Sequence, residues 1–127
     1  MNIVRNIKPE IIDPRVAITR VLDDGVSVIS ILLISSKAGS VRANHYHKED
    51  SHYSYMLSGK AEWHEKPIGD GAEELEVLYA GNMVFTPPLM QHAIKFLEDS
   101  VFLAFATEER TQENYEADTV RVELIKP

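Results

Sequence analysis

Gly39-Ser-Val-Arg-Ala-Asn-His45-Tyr-His47-Lys-Glu-Asp-Ser-His52-Tyr-Ser-Tyr-Met-Leu-Ser-Gly59 is the stretch around which the chain is organised. His45 and His47 are two apart, so on a strand both imidazoles leave the same face. His52 follows five residues later, and on one unbroken strand it would leave the opposite face. Lys48, Glu49, Asp50 and Ser51 lie between and are polar, well suited to a turn. A reversal there brings His52 back beside the first pair on a neighbouring strand. Three converging imidazoles begin a transition-metal site. A fourth, His92, sits in a second punctuated stretch, Gly81 to Phe96.

At 127 residues the chain makes one domain with a single core. Its 44% hydrophobic and 26% charged content is ordinary for a soluble globular protein. Without cysteine there is no disulfide, thiolate ligand or nucleophilic thiol, which suits a reducing cytosol. The first residues lack a basic region followed by an apolar run, so no secretion signal is read and a cytoplasmic location is expected. The longest apolar run, Ile31 to Ile34, is too short to cross a bilayer. A net charge of −7 argues against a nucleic-acid surface, which needs a basic patch.

Working outward, Asn2 to Pro14 reads as a lead-in, an edge strand or arm, because Pro9 and Pro14 oppose a long helix. Val16–Leu22 and Val26–Ile34 are β-branched and apolar, and Asp23-Asp24-Gly25 between them signals a hairpin. Further strands are expected over Lys60–Glu65, over Leu75-Val77-Tyr79 as a half-buried alternation, over Val101–Ala106, and over Val120-Val122-Leu124 at the end. Pro87-Pro88 must stop sheet pairing. Glu108–Asp118 is polar, a loop or a helical turn. Short strands at regular spacing predict an all-β barrel or sandwich.

The two punctuated stretches resemble the two signature motifs of the cupin family. The first motif runs glycine, five residues, His-x-His, three or four residues, glutamate, six residues, glycine; here the matching positions are Gly39, His45, His47, His52 and Gly59. The second runs glycine, five residues, Pro-x-Gly, two residues, histidine, three residues, asparagine; here they are Gly81, Pro87, Leu89, His92 and Phe96. Every spacing is kept, and three identities depart: His52 for glutamate, Leu89 for glycine, Phe96 for asparagine. The resemblance implies a single cupin domain over 1–127, a double-stranded β-helix (jelly-roll) barrel. Residues 1–14 form the lead-in arm, and the motifs occupy 39–59 and 81–96. It also implies that His45, His47, His52 and His92 hold one divalent metal, and that two copies form a homodimer. The lead-in arm and the final strand are the candidate pairing edges.

Read alone, His45 and His47 could be a surface pair; in register with His52 and His92 they are metal ligands. Neutral imidazoles suit Mn, Fe, Co, Ni, Cu or Zn rather than magnesium or calcium. With His52 in the glutamate position the ion keeps its formal charge, making it a stronger Lewis acid and a host for anionic oxygen. The ligands must be deprotonated, so metal is expected to leave as pH falls into the imidazole range. His64 belongs to neither motif and reads as a solvated strand residue. Tyr53 and Tyr55 have the opposite parity to His52 and face out of the barrel or into a subunit contact. Ser54 and Met56 share its parity and are cavity candidates. Trp63, Met83 and Phe85 line the cavity or simply pack the core. Glu49 and Asp50 are read as solvated turn charges rather than oxygen ligands.

A second resemblance, covering about fifteen residues, is to cupins that isomerise or epimerise nucleotide-linked keto-sugars. It rests on Arg42-Ala-Asn-His45-Tyr-His47-Lys48 and on the tail Tyr115-Glu-Ala-Asp118-Thr-Val-Arg121. It implies a base that moves a proton beside a carbonyl, with a metal or histidine steadying the enediolate. Arg42 and Lys48 would meet a phosphate or carboxylate. Arg42 has the wrong strand parity for the cavity unless a bulge intervenes. The expected substrate-binding set is therefore Arg42, Lys48, Ser54, Met56, Trp63 and Phe85. The expected function is a metal-dependent enzyme on a small oxygenated, sugar-derived substrate, by isomerase, epimerase or lyase chemistry. Two other classes fit the same histidines: an iron or manganese dioxygenase, and a non-catalytic sugar- or metal-binding module.

Overall fold

The computed structural model describes residues 1–127 except Asp24 and Arg110. The first half holds β1 (Asn2–Val4), β2 (Ile11–Ile12), β3 (Ala17–Ile18), β4 (Ser30–Ser36), β5 (Val41–His47) and β6 (His52–Ser58). The second holds β7 (Lys60–Pro67), β8 (Glu74–Tyr79), β9 (Met83–Thr86), β10 (Met90–Phe96), β11 (Ser100–Ala106), α1 (Gln112–Asp118) and β12 (Thr119–Arg121). Two five-stranded antiparallel sheets result, in the orders β1-β9-β6-β11-β4 and β12-β5-β10-β7-β8, with the β2–β3 hairpin apart. This is the cupin jelly roll, and the alternating strand pattern explains it: apart from a bulge in β5, the strands turn one parity inward. In β11, Phe102, Ala104 and Ala106 are buried while Val101, Leu103 and Phe105 are only half-buried.

Met56, Val84, Phe102 and Ala104 from one sheet meet Ala61, Trp63, Leu78, Ile94 and Phe96 from the other. Phe96 and Phe102 stack at 5.9 Å between centroids, tying the sheets together. Burying each such side chain contributes about 1.5–3 kcal/mol. Gly59, which closes the first histidine stretch, turns β6 into β7 with φ +93°, and a Cβ there would meet Asp99 O at 2.6 Å and Ser100 Oγ. Only glycine fits.

Several sequence expectations need correction. The apolar runs flanking Asp23-Asp24-Gly25 do not pair with each other: β3 pairs with β2, and β4 with β11. Asp24 itself lies outside the described residues. In β8 the inward side chain is Leu78, fully buried opposite Ala61, whereas Leu75 and Tyr79 are exposed. Register with β7 sets the parity there, and local hydrophobicity does not. The last strand is Thr119–Arg121, shorter and earlier than the alternation predicts. The two expected pairing edges are the outer strands of the two sheets, β1 beside β9 and β12 beside β5, each with one partner within its sheet.

Candidate active site

The site is built where β5, β6 and β10 bring their inward faces together. His45 and His92 stand opposite one another in the β5–β10 ladder. His52 reaches the same interior from the other sheet, so the reversal at 48–51 carries it across the barrel and not onto a hydrogen-bonded neighbour. The imidazole centroids lie 4.7 Å apart for His45–His47 and His45–His92, and 4.6 Å for the stacked His47–His52 pair. His47 and His92 are 5.7 Å apart, and His52 and His92 6.3 Å. All four rings are buried.

Acceptors around the rings determine which nitrogen carries the proton. A carboxylate or carbonyl only accepts. His52 Nε2–H therefore donates to Asp50 Oδ2 (2.9 Å), His92 Nδ1–H to Met90 O (3.0 Å), and His47 Nδ1–H faces Asp118 Oδ2 (3.2 Å). His47 and His92 thus direct basic Nε2 atoms to the centre, and His52 keeps its basic nitrogen at Nδ1. Among the described residues no carboxylate pairs with His45, and its buried Nδ1 has no hydrogen-bond partner. Burial first, then the proximity of His92, His47, His52 and Arg121, pushes its pKa from 6.5 to about 2. It stays neutral.

Ligand atoms of His45, His47 and His92 all lie within 4.8 Å of one another, and those of His47, Asp50 and His52 form a second such triad. Donors bound about 2.1 Å from one ion stand at most about 4.2 Å apart, so small ring movements close the first triad on a metal. The neutral His45 and its orphaned Nδ1 suit that donor set. The four rings thus divide, with His52 drawn toward Asp50.

A cavity of about 400 Å³ adjoins the rings, lined by His45, His52 and His92, by the buried Ser54, Trp63 and Thr86, and by the exposed Arg42 and Arg121 with the half-buried Tyr115. Arg42 gets there through a bulge. Ala43 (φ 65°) and Asn44 (φ 56°) are both left-handed, and the register shifts between them and β10, so Arg42 pairs with inward-facing Ile94. A second cavity, about 350 Å³, lies beyond His47 and is lined by Lys48, Asp50, Tyr115 and Asp118 among others. Tyr115 belongs to both, 6.1 Å ring to ring from His45 and from His47.

Of the expected substrate residues, Arg42, Ser54 and Trp63 line the interior cavity. Lys48 lines the second cavity and donates from Nζ to Ala117 O. Met56 is core, and Phe85 packs on the outer sheet face against Tyr53 (4.7 Å), because its parity is opposite to Val84 and Thr86. His64 is also outside, between Glu62 and Glu73. Asp50 is no solvated turn charge. It is 2% exposed and accepts from Thr107 N, Glu108 N and Thr107 Oγ1 as well as His52. Thr86 and Glu65 belong to neither histidine motif; the i,i+2 spacing of Trp63 and Glu65, which puts both on one face of β7, is the signal the sequence holds for Glu65.

No family model and no curated protein sequence matches the chain. Solved structures do. The sugar 3,4-ketoisomerase QdtA from Thermoanaerobacterium thermosaccharolyticum, in complex with TDP, aligns at TM-score 0.76 and 20% identity over 96% of this chain and 89% of that one. The dTDP-4-dehydrorhamnose 3,5-epimerase from Sulfolobus tokodaii aligns at 0.74 and 20% identity, over 88% and 72%. A 3,4-ketoisomerase from Helicobacter canadensis aligns at 0.73 and 18% identity, over 86% and 82%. At these identities the likeness establishes the fold, and the chain is a cupin-type β-barrel.

Proposed function

We propose that the protein isomerises or epimerises a nucleotide-linked keto-sugar by moving a proton on a carbon beside a carbonyl. The observation that carries this is the stacked His47–His52 pair, each ring backed by its own carboxylate, beside a cavity that also holds two arginines. A carboxylate behind an imidazole fixes the tautomer and steadies the imidazolium that forms when the ring takes a proton. His52, on the cavity wall, is the proton-moving group, with Asp50 behind it. Tyr115 supplies a phenol at the cavity rim for the opposite transfer. Arg42 and Arg121 are exposed at the same rim and suit a diphosphate. The structural relatives that bind TDP or carry sugar-isomerase names support this substrate class.

A divalent transition metal would be held by His45, His47 and His92, and when bound it would supply Lewis-acid polarisation of a carbonyl oxygen. Proton transfer is assigned to His52 in either case. The test is incubation with dTDP-4-keto-6-deoxyglucose in D2O, followed by NMR. Deuterium at the carbon next to the ketone, lost in His52→Ala, is the expected result; no exchange in the intact protein rejects the assignment.

A second copy of the chain is the proposed partner. β4 ends its sheet, and Ser30-Ile-Leu-Leu-Ile-Ser-Ser36 carries no charge, with Ile31 66% and Leu33 67% exposed. A long uncharged edge templates pairing. Antiparallel β4–β4 pairing about Leu33 is self-complementary, as a two-fold axis requires. Sedimentation should show a dimer that Leu33→Lys converts to monomer; a monomeric wild type excludes it.

A further inference from the structure

Glu65 is a carboxylate 3% exposed inside the barrel, and neither the ring cluster nor the proposed proton transfer uses it. It sits on β7 behind the interior cavity. Its Oε2 accepts two hydrogen bonds: from Trp63 Nε1 on the same strand (3.1 Å) and from Thr86 Oγ1 on β9 of the facing sheet (3.0 Å). Both donors line the cavity, while Glu65 itself does not. Thr86 is 2% exposed and stands opposite His52 in the β9–β6 ladder. The Trp63 ring lies parallel to His92, 5° between planes at 6.3 Å.

An indole N–H can only donate, so the oxygen it shares with Thr86 acts as an acceptor. The single Thr86 hydroxyl hydrogen is thereby committed to Glu65. What remains for the cavity is lone pairs. A hydroxyl able to rotate would serve a ligand donor and a ligand acceptor alike; this one is held in one sense by a buried carboxylate. We propose that Thr86, oriented by Glu65, forms a specificity subsite that accepts a hydrogen bond from a ligand hydroxyl and discriminates against a sugar that lacks it. The ligand class rests on the keto-sugar function proposed above. Glu65 is a positioning residue here, and Thr86 the group that touches ligand.

Trp63 is the sole tryptophan in the chain and lines the same cavity, so its emission reports occupancy directly. The experiment titrates dTDP-glucose and its 2-deoxy and 3-deoxy analogues against Trp63 fluorescence, in the unaltered protein, Thr86→Val and Thr86→Ser, with free hexoses as a second panel. One deoxy analogue should bind about 10-fold or more weaker than the parent. Thr86→Val should weaken the parent by a similar factor and erase the difference between parent and that analogue, whereas Thr86→Ser should keep it. Should Thr86→Val not fold, Thr86→Ser and the deoxy series on the unaltered chain decide. Tight binding with no analogue discriminated, or discrimination that persists in Thr86→Val, overturns the subsite and leaves the proposed function standing. Free hexoses that bind in a Thr86-dependent way while sugar nucleotides do not would keep the subsite and reject the proposed function. No quenching by either panel rejects both.

Discussion

Arg42 stands opposite Ile94 in the β5–β10 ladder, while His45, three residues on, stands opposite His92, only two residues back. The extra residue turns Arg42 and His45 to the same interior although their spacing is odd. Asn44 makes the bulge possible: its Oδ1 accepts from Leu124 N and Ile125 N at 3.0 Å each, and its Nδ2 donates to Ile125 O at 2.9 Å. Asn also tolerates the left-handed φ of 56°. Asn44→Ala should therefore cost about 2–3 kcal/mol in urea unfolding. It should also weaken TDP binding as far as Arg42→Ala does, since both misplace one guanidinium. Unaltered TDP affinity in Asn44→Ala, with Arg42→Ala impaired, would sever the bulge from the rim arginine.

Asp50→Asn tests the carboxylate behind His52. The amide oxygen can still serve Thr107 N and Glu108 N, but its NH2 then meets the imidazole nitrogen that donated to Asp50 Oδ2. The ring answers by moving its proton to Nδ1, so the basic nitrogen is lost from the position it held. Solvent exchange into the keto-sugar should fall about 100-fold or more with the fold retained by circular dichroism. A loss under about threefold would show that His52 works without Asp50.

The histidine cluster was legible because its spacing spans two separate stretches, and the turn at 48–51 resets the parity so that β5, β6 and β10 each turn their histidines inward. Tyr115, Asp118 and Arg121 were legible only as a resemblance in the tail; α1 and β12 bring them to the rim. Asp50 departs from the expected solvated state for a physical reason. Turn carboxylates are normally solvated, and this one is buried by Thr107 and Glu108, 57 and 58 residues away. The Arg42 bulge needs two left-handed residues, Ala43 and Asn44, and alanine carries no local signal for that conformation. The same limit explains Leu78, whose inward direction comes from its Ala61 partner.

Neutral His45 makes stability fall in acid. Its folded pKa, about 2, lies below the ordinary 6.5, so below pH 6.5 the unfolded chain binds a proton that the folded chain refuses. The stabilisation is complete above pH 6.5 and declines at about 1.4 kcal/mol per pH unit toward the folded value. Glu65 is held above its usual range, chiefly by burial, against hydrogen bonds from Thr86 and Trp63. Its contribution has the opposite sign, growing as pH falls from its folded pKa toward 4.5. Urea midpoints of metal-free protein should drop between pH 6.5 and 4.5, and His45→Gln should flatten that drop by one proton's worth. Parallel profiles would mean that His45 is not the neutral ring described.

Metal affinity separates the two uses of the ring cluster. Protein purified without a histidine tag should carry or take up one divalent transition metal per chain, with a higher melting temperature that EDTA reverses. His92→Ala removes one donor of the compact triad and should weaken uptake about 100-fold or more, whereas Asp50→Asn should leave it within about tenfold. No uptake of manganese, iron, cobalt, nickel, copper or zinc would assign the four rings to proton chemistry alone.

Leu89 occupies the place where the second cupin motif has glycine, and the backbone shows why glycine belongs there. Its φ is 64°, its side chain is 53% exposed, and its N–H donates to His47 O at 2.7 Å. The conformation is required to bring that N–H under the strand bearing His47, yet a Cβ in the left-handed region costs about 1–2 kcal/mol. Leu89→Gly removes the strain, gives up little buried surface, and raises the unfolded chain's entropy, which takes back part of the gain. The net should be about +0.5–1 kcal/mol, a rise of roughly 2–6 °C in melting temperature for a domain of this size. Leu89→Val moves the other way, because β-branching makes φ > 0 harder still. A Leu89→Gly protein less stable than wild type would place Leu89 in a contact worth more than its backbone strain, such as the face of a second copy.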